Sequence, residues 1–498
     1  MNKNYFEEVI DNLILDEVSE EDIRIKTKIK SLPNKLKRLA ILSILDKDRG
    51  LYLKIKNLIE KNEVSKTIHI KNVVSMIREY VKVSDVEKKK YGEVMTPIEL
   101  VEEMLDTLPK EVWTNPNLKW LDPANGIGVF PCIVVERLME GLKEFEKDEE
   151  LRYKHIVENM LYVCELQSKN MFLFLCAFDP EDKYLMNIYN GSFLEDGFDK
   201  HMKEINGVEK VDIIVGNPPY QDSDNTSTYG KLWTKFADKS LSITDKLCFV
   251  SPSTFLAKKD SERTSETTNL RNHIIHHCKL INTNINHYFD GIGSTFCFYF
   301  IDMNQINTQI KINNEFYNTS IFNNILPSTI NKQTILIFQK VLNGNYFKKE
   351  LKNGLVGNMI FDKELTDENK EIYKYRVQYA DTTIKWSDKK HKLQDKIKCI
   401  FPSHTCRNIP ILDNCISAPS VRGATYLFDN MFLAEQFIKY CNSKIIQFII
   451  KEQRVHHGFL SITTVSSIPY IDLTQKWNNE KLYKYFNLTE EEIIFISK

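Results

Sequence analysis

Apolar residues recur at helical spacing through the first 90 positions, as in LKRLAILSIL and LYLKIKNLIEKN. That period puts them on one face of a helix, and Pro33 interrupts the run. From Tyr91 the texture changes. Short apolar runs (LKWLD, LYVCEL, NIYNGSF, KVDIIVG, KLCFVS, STFCFYFID) alternate with helical stretches. This alternation predicts a parallel sheet wrapped on both faces by helices, a doubly wound α/β fold over roughly 91–305. Beyond 305 the pattern becomes mixed strand and loop, as in LVGNMIF and YKYRVQYA. One long amphipathic helix is expected over NMFLAEQFIKYCNSKIIQFIIKE, and a short helical tail over LTEEEIIFISK. The expected segments are therefore a helical region 1–87, an α/β domain 88–305, a mixed α+β domain 306–475 and a tail 476–498.

Length agrees with more than one core, since 498 residues exceed what a single hydrophobic core usually organises. Lys+Arg 67 against Asp+Glu 68 gives a net charge of −1, which by itself points to no polyanionic partner. Residues 331–460, however, hold 21 Lys/Arg against 13 Asp/Glu. That local bias suits a phosphate-facing surface as well as it suits an ordinary lysine-rich one. The basic stretch RIKTKIKSLPNKLKR near the start is open to the same two readings. The ten cysteines form no Cys-x-x-Cys pair, and several sit in apolar runs, as expected of reduced, buried thiols. His404, Cys406 and Cys415 match no standard ligand spacing, and no metal is expected. The N-terminus is too polar for a signal peptide and no apolar run reaches spanning length, so a cytoplasmic or nucleoid-associated protein without membrane contact is expected.

Three strand ends carry candidate chemistry. In LDPANGIGVF, Gly126 and Gly128 fall in the first strand-to-helix turn, where missing side chains let a ligand approach backbone N–H groups. A structural turn would need the same glycines. Asp122, at the strand end, can hold an ammonium group or order a water. The next strand ends at Glu165, an acid positioned to accept from both ribose hydroxyls of a nucleoside cofactor. The fourth run stops at Gly216, because Pro218 and Pro219 lack N–H donors. Asn217 then offers an amide oxygen beside the free carbonyl of Pro218. Two rigid acceptors side by side can receive both hydrogens of a ring-conjugated amino group and free its lone pair for attack. Tyr220 supplies a ring face on which a flat base can stack.

The stretches YGEVMTPIELVEEML, LDPANGIGVF, LYVCELQ, NGSFL and VGNPPY, in this order, resemble motifs X, I, II, III and IV of the γ-class N6-adenine DNA methyltransferases. YGKLWTKFADKSL and KLCFVSPSTFL are similar to the two motifs that follow, and NSKIIQFIIKE with HHGFLSITTVSSIPYIDL resembles the end of a C-terminal recognition domain. The resemblance implies a Rossmann-like S-adenosylmethionine-dependent domain over 88–305 and a DNA target-recognition domain over 306–475. It implies S-adenosylmethionine as cofactor, with Tyr91, Gly92, Thr96 and Pro97 at its methionine end and Asp122, Ala124 and Gly126 beneath. Glu165 would take the ribose, Leu166 and Phe193 would flank the adenine, and Asn217 would border the cofactor. Asn217, Pro218, Pro219 and Tyr220 would hold an adenine flipped from double-stranded DNA, with a later aromatic, Phe296, packing on the base edge. One departure is visible: where motif III often carries an acid for the cofactor's amino group, this chain has Ser192, with Asp196 four residues on. The resemblance further implies the modification component of a restriction-modification system, with a cognate endonuclease as partner, or a solitary methyltransferase.

Other readings remain at this level. Asn-Pro-Pro-Tyr also occurs in glutamine N5-methyltransferases acting on release factors, whose target amide is equally planar, and RNA adenine is a third substrate. A fused nuclease would need an acid upstream of Glu-x-Lys. Asp362, Glu368 and Lys370 have that order, in a stretch that reads as loop without flanking strands, and Glu181 with Lys183 falls inside the α/β domain.

Overall fold

Strands buried on both faces form the centre of the first part of the chain, and they set where a ligand can bind. The computed structural model describes residues 70–72, 74, 75, 77, 78, 96–179, 183–220, 232–256, 265–289, 295–347, 355, 356, 365–379, 383–402, 409–420, 423–453, 460 and 462–498. Tyr91, Gly92, Glu181, Asp362, His404 and Cys406 lie outside them. The chain divides into two units, one comprising Met1–Pro252, Thr264–Asp290 and Phe296–Asn313, the other Ser253–Arg263, Gly291–Thr295 and Asn314–Lys498.

The first unit holds β1 (Trp120–Asp122), β2 (Leu161–Glu165), β3 (Asn187–Asn190), β4 (Val211–Gly216), β5 (Thr244–Pro252), β6 (Cys278–Asn282), β7 (Phe296–Asp302) and β8 (Gln309–Ile312). Its helices are α1 (Ile98–Leu105), α2 (Val129–Gly141), α3 (Glu149–His155), α4 (Ser168–Phe178), α5 (Asp196–Glu204), α6 (Leu232–Ile243) and α7 (Ser265–His277). The strands lie in the order β3-β2-β1-β4-β5-β7-β6-β8. This is the doubly wound α/β arrangement expected, with one correction. The sheet is mixed, because β7 runs antiparallel to both β5 and β6. β7 lies between β5 and β6 and reverses the direction of both. The strand β6 was not expected from the pattern. CKLIN follows α7 without a turn residue, and alternation over so few positions carries little signal.

Order reverses between β1 and β4: β2 and β3 extend one way, β4 and β5 the other. Ligands of open α/β sheets bind outside the carboxyl ends of the strands at such a reversal. Asp122, Glu165 and Gly216 are the last residues of the three strands that meet there. The core below includes Ile133, Val134, Val163, Phe172, Ile213, Val215 and Phe298, and it also takes in the helical residues Ile70, Val74 and Ile77. Lys71 pairs with Glu102 of α1 at 3.3 Å and Glu136 of α2 at 3.2 Å.

The second unit contains β9 (Glu315–Asn318), α8 (Lys332–Val341), β10 (Leu355–Val356), β11 (Leu365–Thr366), β12 (Tyr375–Gln378), β13 (Ile384–Ser387), β14 (Ile397–Pro402), β15 (Ile411–Asn414), β16 (Ala418–Pro419) and β17 (Gly423–Leu427). Five helices follow: α9 (Met431–Cys441), α10 (Lys444–Glu452), α11 (Ile462–Ser466), α12 (Asn479–Tyr485) and α13 (Glu490–Ser497). Two small sheets form, β10-β17-β14-β15 and β11-β13-β12-β16. The single long helix expected late in the chain is two. Asn442 ends α9, and Ser443 enters α10 with extended backbone (φ −67°, ψ 150°) and no side-chain cap bond. The break turns Ile445, Ile446, Ile449 and Ile450 into a common core with Phe401, Tyr426 and Phe437. Leu482, Phe486 and Ile496, from the last two helices, join that core. The stretch around Glu368 and Lys370 also differs from expectation, since β11 and β12 flank it. Both side chains are exposed and pair with each other at 2.9 Å. Lys398 and Asp413 form a buried ion pair at 2.7 Å, with Lys398 also donating to the carbonyls of Gln394 and Lys396.

Candidate active site

The turn after β1 is built by two glycines with left-handed backbone, Gly126 at φ +56° and Gly128 at φ +93°. Their reasons differ. A Cβ on Gly128 would lie 2.6 Å from the Phe174 ring and 2.9 Å from that of Phe178, so this glycine lets α2 pack against α4. A Cβ on Gly126 would meet nothing within 4 Å, so that position faces open space at a helix start.

Glu165 fastens the turn from the side. One carboxylate oxygen accepts from the backbone N–H of Gly126 at 2.7 Å, the other from the N–H of Gln167 at 2.7 Å. A carboxylate has about four lone-pair sites, so these bonds leave acceptor capacity for a sugar hydroxyl. The tip of β2 is held in turn by Asn190, whose amide donates to the carbonyls of Glu165 at 3.0 Å and Leu166 at 3.4 Å. Asn190 Oδ1 is buried with no hydrogen-bond partner among the described residues. Sequence reading missed this residue. Its signal was an amide at the end of the third strand, beside the Ser192 position where an acid was expected.

Asp122 is 2% exposed. Its Oδ1 accepts from the Ala124 N–H at 3.1 Å, while Oδ2 is buried without a partner among the described residues. A Cβ on Gly216 would come within 3.0 Å of Oδ1, so the glycine ending β4 lets the two strand tips approach. Burial pushes the Asp122 carboxyl up to about 8; the Ala124 N–H works against the rise and the nearby Glu165 charge adds to it. The unfolded aspartate ionises near 3.8, so between these values the folded chain holds more protons on this group and stability falls as pH rises. Above about 8 the fall stops. Asp122→Asn is expected to flatten this slope, checked by urea unfolding of both proteins near pH 5 and pH 8. An identical loss of stability in the two would defeat the assignment.

At the end of β4, Asn217 is half-buried and Pro218 buried. Asn217 Nδ2 donates to the Thr96 hydroxyl at 3.0 Å, and the Tyr220 hydroxyl donates to Asn217 Oδ1. Phe296 backs the Tyr220 ring, with centroids 4.9 Å apart, and Phe289 backs Phe296 at 4.6 Å. Phe296 is buried, so it buttresses Tyr220 and has no face exposed for a base edge. Pro97 directly precedes α1.

Most of the expected residues fall into two groups. Asp122, Ala124, Gly126 and Glu165 come together in one hydrogen-bonded turn. Thr96, Asn217 and Tyr220 form a second cluster linked by side chains, with Pro218 and Pro219 between. Leu166 is exposed at the β2 tip. Phe193 is placed elsewhere: 1% exposed, with Phe198 and Phe236 at 4.9 and 5.3 Å and the Lys239 ammonium over its ring at 5.1 Å. The ring is enclosed and packs against α5 and α6.

Comparison with known proteins agrees with this geometry. Residues 117–289 match the family profile described as Eco57I restriction-modification methylase. Over 333 residues, 50% of this chain and 77% of the relative, the protein is 26% identical to an uncharacterized adenine-specific methylase of Mycoplasma pneumoniae. Among solved structures, the Type IIL restriction-modification enzyme MmeI in complex with DNA is similar over 97% of this chain and 84% of its own, with a TM-score of 0.51 and 13% identity. A modification subunit of a putative type I restriction enzyme from Vibrio vulnificus is 17% identical with a TM-score of 0.36, and the match spans 50% of this chain and 52% of that one. The family match spans the stretches from LDPANGIGVF to KLCFVSPSTFL and names the class they resemble, a methylase of restriction-modification type. The fold is that of a Rossmann-like methyltransferase, and the cofactor such a methylase implies is S-adenosylmethionine. The residues present fit that cofactor: Asp122 keeps a buried oxygen without a partner among the described residues, and Gly126 leaves space where a side chain would stand.

Proposed function

We propose that this protein is a sequence-specific DNA adenine-N6 methyltransferase serving the modification side of a restriction-modification system. The observation that carries the reading is Asn217, whose amide oxygen accepts from the Tyr220 hydroxyl directly after the tip of β4, at the same sheet reversal as the Gly126 turn. No nucleophilic side chain is needed, because the target amino nitrogen is itself the nucleophile.

Asp122 and the Gly126 turn would hold the cofactor's charged end, with Pro97 nearby, while Glu165 would accept from its ribose and Leu166 would border its base. Bound there, the cofactor supplies an electrophilic methyl group. The protein's part is orientation. Asn217 Oδ1 and the Pro218 carbonyl receive the two amino hydrogens of an adenine flipped from the duplex, drawing the nitrogen out of conjugation with the ring. Tyr220, stiffened by Phe296 and Phe289, gives the base a stacking surface. Receiving the base requires the Tyr220 hydroxyl to yield or share the Asn217 oxygen, which has two lone pairs. The extra proton leaves after transfer.

The second unit is proposed as the target-recognition domain, reading base edges in the major groove while lysines such as Lys374, Lys389 and Lys390 meet phosphates. A cognate endonuclease would then be a separate partner, since the Glu368–Lys370 pair is exposed and self-satisfied. Such an enzyme acts where the DNA is, in the cytoplasm at the nucleoid.

The test is transfer of labelled methyl from S-adenosylmethionine to unmodified duplex DNA, followed by digestion to nucleosides. N6-methyladenine is the expected product. Unlabelled DNA, with label entering RNA or a release-factor protein offered in parallel, would replace the reading with one of those substrates.

A further inference from the structure

Resting on the adenine-methyltransferase reading, we propose that Thr96 is a positioning residue for the reaction, whose hydroxyl fixes which end of the Asn217 amide meets the target. An asparagine amide is nearly symmetric in shape and opposite in chemistry at its two ends. Turned by half a rotation, it would offer N–H donors to an amino group that needs acceptors. Position alone does not make Asn217 competent. Something must hold the oxygen forward.

The hydrogen bonds around the amide supply that control. Nδ2 donates to Thr96 Oγ1 at 3.0 Å, across 121 residues of sequence. On the other side the oxygen accepts from the Tyr220 hydroxyl. The phenol's surroundings settle the direction. Tyr220 packs against the core and Phe296, and Asn217 is the hydrogen-bond partner recorded for it among the described residues. Its proton needs an acceptor, which Oδ1 is and Nδ2 is not. Once an adenine amino group takes the oxygen, Tyr220 no longer has to hold it, and the amino hydrogens demand an acceptor; Thr96 Oγ1 then completes the arrangement by accepting from Nδ2.

Thr96 is built for this. It is 7% exposed, it directly precedes Pro97, and the Pro97 carbonyl accepts from Val101 N–H at 3.2 Å as α1 begins. A β-branched side chain in front of a proline has few rotamers, so the hydroxyl stays in place. By resemblance alone Thr96 belongs with the cofactor's methionine end; the hydrogen bond points to Asn217.

The test uses the full chain with saturating duplex DNA and S-adenosylmethionine, measuring single-turnover methylation and, separately, cofactor Kd by calorimetry. Thr96→Val keeps the shape and removes the hydroxyl. It is expected to slow transfer roughly ten- to a hundredfold with cofactor Kd within about twofold of wild type. Thr96→Ala, lacking the hydroxyl without adding a methyl group, should behave alike, so the proposal does not depend on one variant folding. Thr96→Ser should recover the rate to within about threefold, because it restores the oxygen. A weaker cofactor Kd at unchanged rate would overturn the proposal and assign the hydroxyl to the cofactor. A serine variant as slow as valine would overturn it in favour of packing, and wild-type rates in all three variants would remove any role. Failure of the wild type itself to make N6-methyladenine is a separate result, and it would fall on the adenine reading.

Discussion

Asn217→Ala is expected to lower single-turnover methylation about 100- to 1,000-fold while leaving cofactor Kd within about twofold. Two effects combine. One of the two acceptors for the amino hydrogens disappears, so the nitrogen stays conjugated with the ring and its lone pair stays unavailable. The two groups that now satisfy Asn217, Thr96 Oγ1 and the Tyr220 hydroxyl, also lose their partner. An unpaired phenol costs about 1–3 kcal/mol, so Tyr220 would turn to find another acceptor and its ring would leave the stacking geometry. The cofactor turn is a separate hydrogen-bonded unit around Asp122 and Glu165, which is why its affinity should survive. Rapid-quench measurement with labelled methyl and calorimetry on the same preparation separate the two quantities. A variant retaining more than about a tenth of the rate would remove Asn217 from the reaction; a parallel loss of cofactor affinity would make it a binding residue.

The second large effect is expected at Glu165. Glu165→Ala removes two charge-assisted hydrogen bonds to backbone, each worth about 1.5–3 kcal/mol, and with them the acceptor proposed for the ribose. Part of the loss falls on the turn, since Gly126 has left-handed backbone and no side chain to brace it. The rest falls on binding. Losing even two ordinary hydrogen bonds to the ligand corresponds to roughly a hundredfold in Kd. Glu165→Gln keeps one acceptor oxygen and should lie between. Calorimetric titration with S-adenosylmethionine decides the matter. A Kd within threefold of wild type would confine Glu165 to holding the turn.

Much of the site was legible because proline, glycine and single acids at strand ends leave strong marks. Asn217 and Tyr220 follow from where β4 must stop, and Glu165 from where β2 ends. What was not legible depends on long-range partners. Nothing in MTPIEL says that Thr96 will meet an amide 121 residues later. Phe193 reads as an aromatic beside a cofactor motif, and only the packing of Phe198 and Phe236 shows its ring to be enclosed. The antiparallel placement of β7 is equally silent, since an apolar run such as FCFYFID suits a buried strand of either direction. The break between α9 and α10 was present in the letters Asn442-Ser443, but two amphipathic segments in phase read as one.

Ile70, Val74 and Ile77 lie with the core of the methyltransferase unit, and Lys71 ties their helix to α1 and α2. The motifs begin later, at about residue 91, and an engineer trimming the gene to them would cut between. Such a fragment would keep every residue assigned here to chemistry and still expose the apolar seam that those three side chains cover. Grafting this catalytic unit onto another recognition module therefore has an upstream boundary set by packing: the transplanted segment has to start ahead of Ile70.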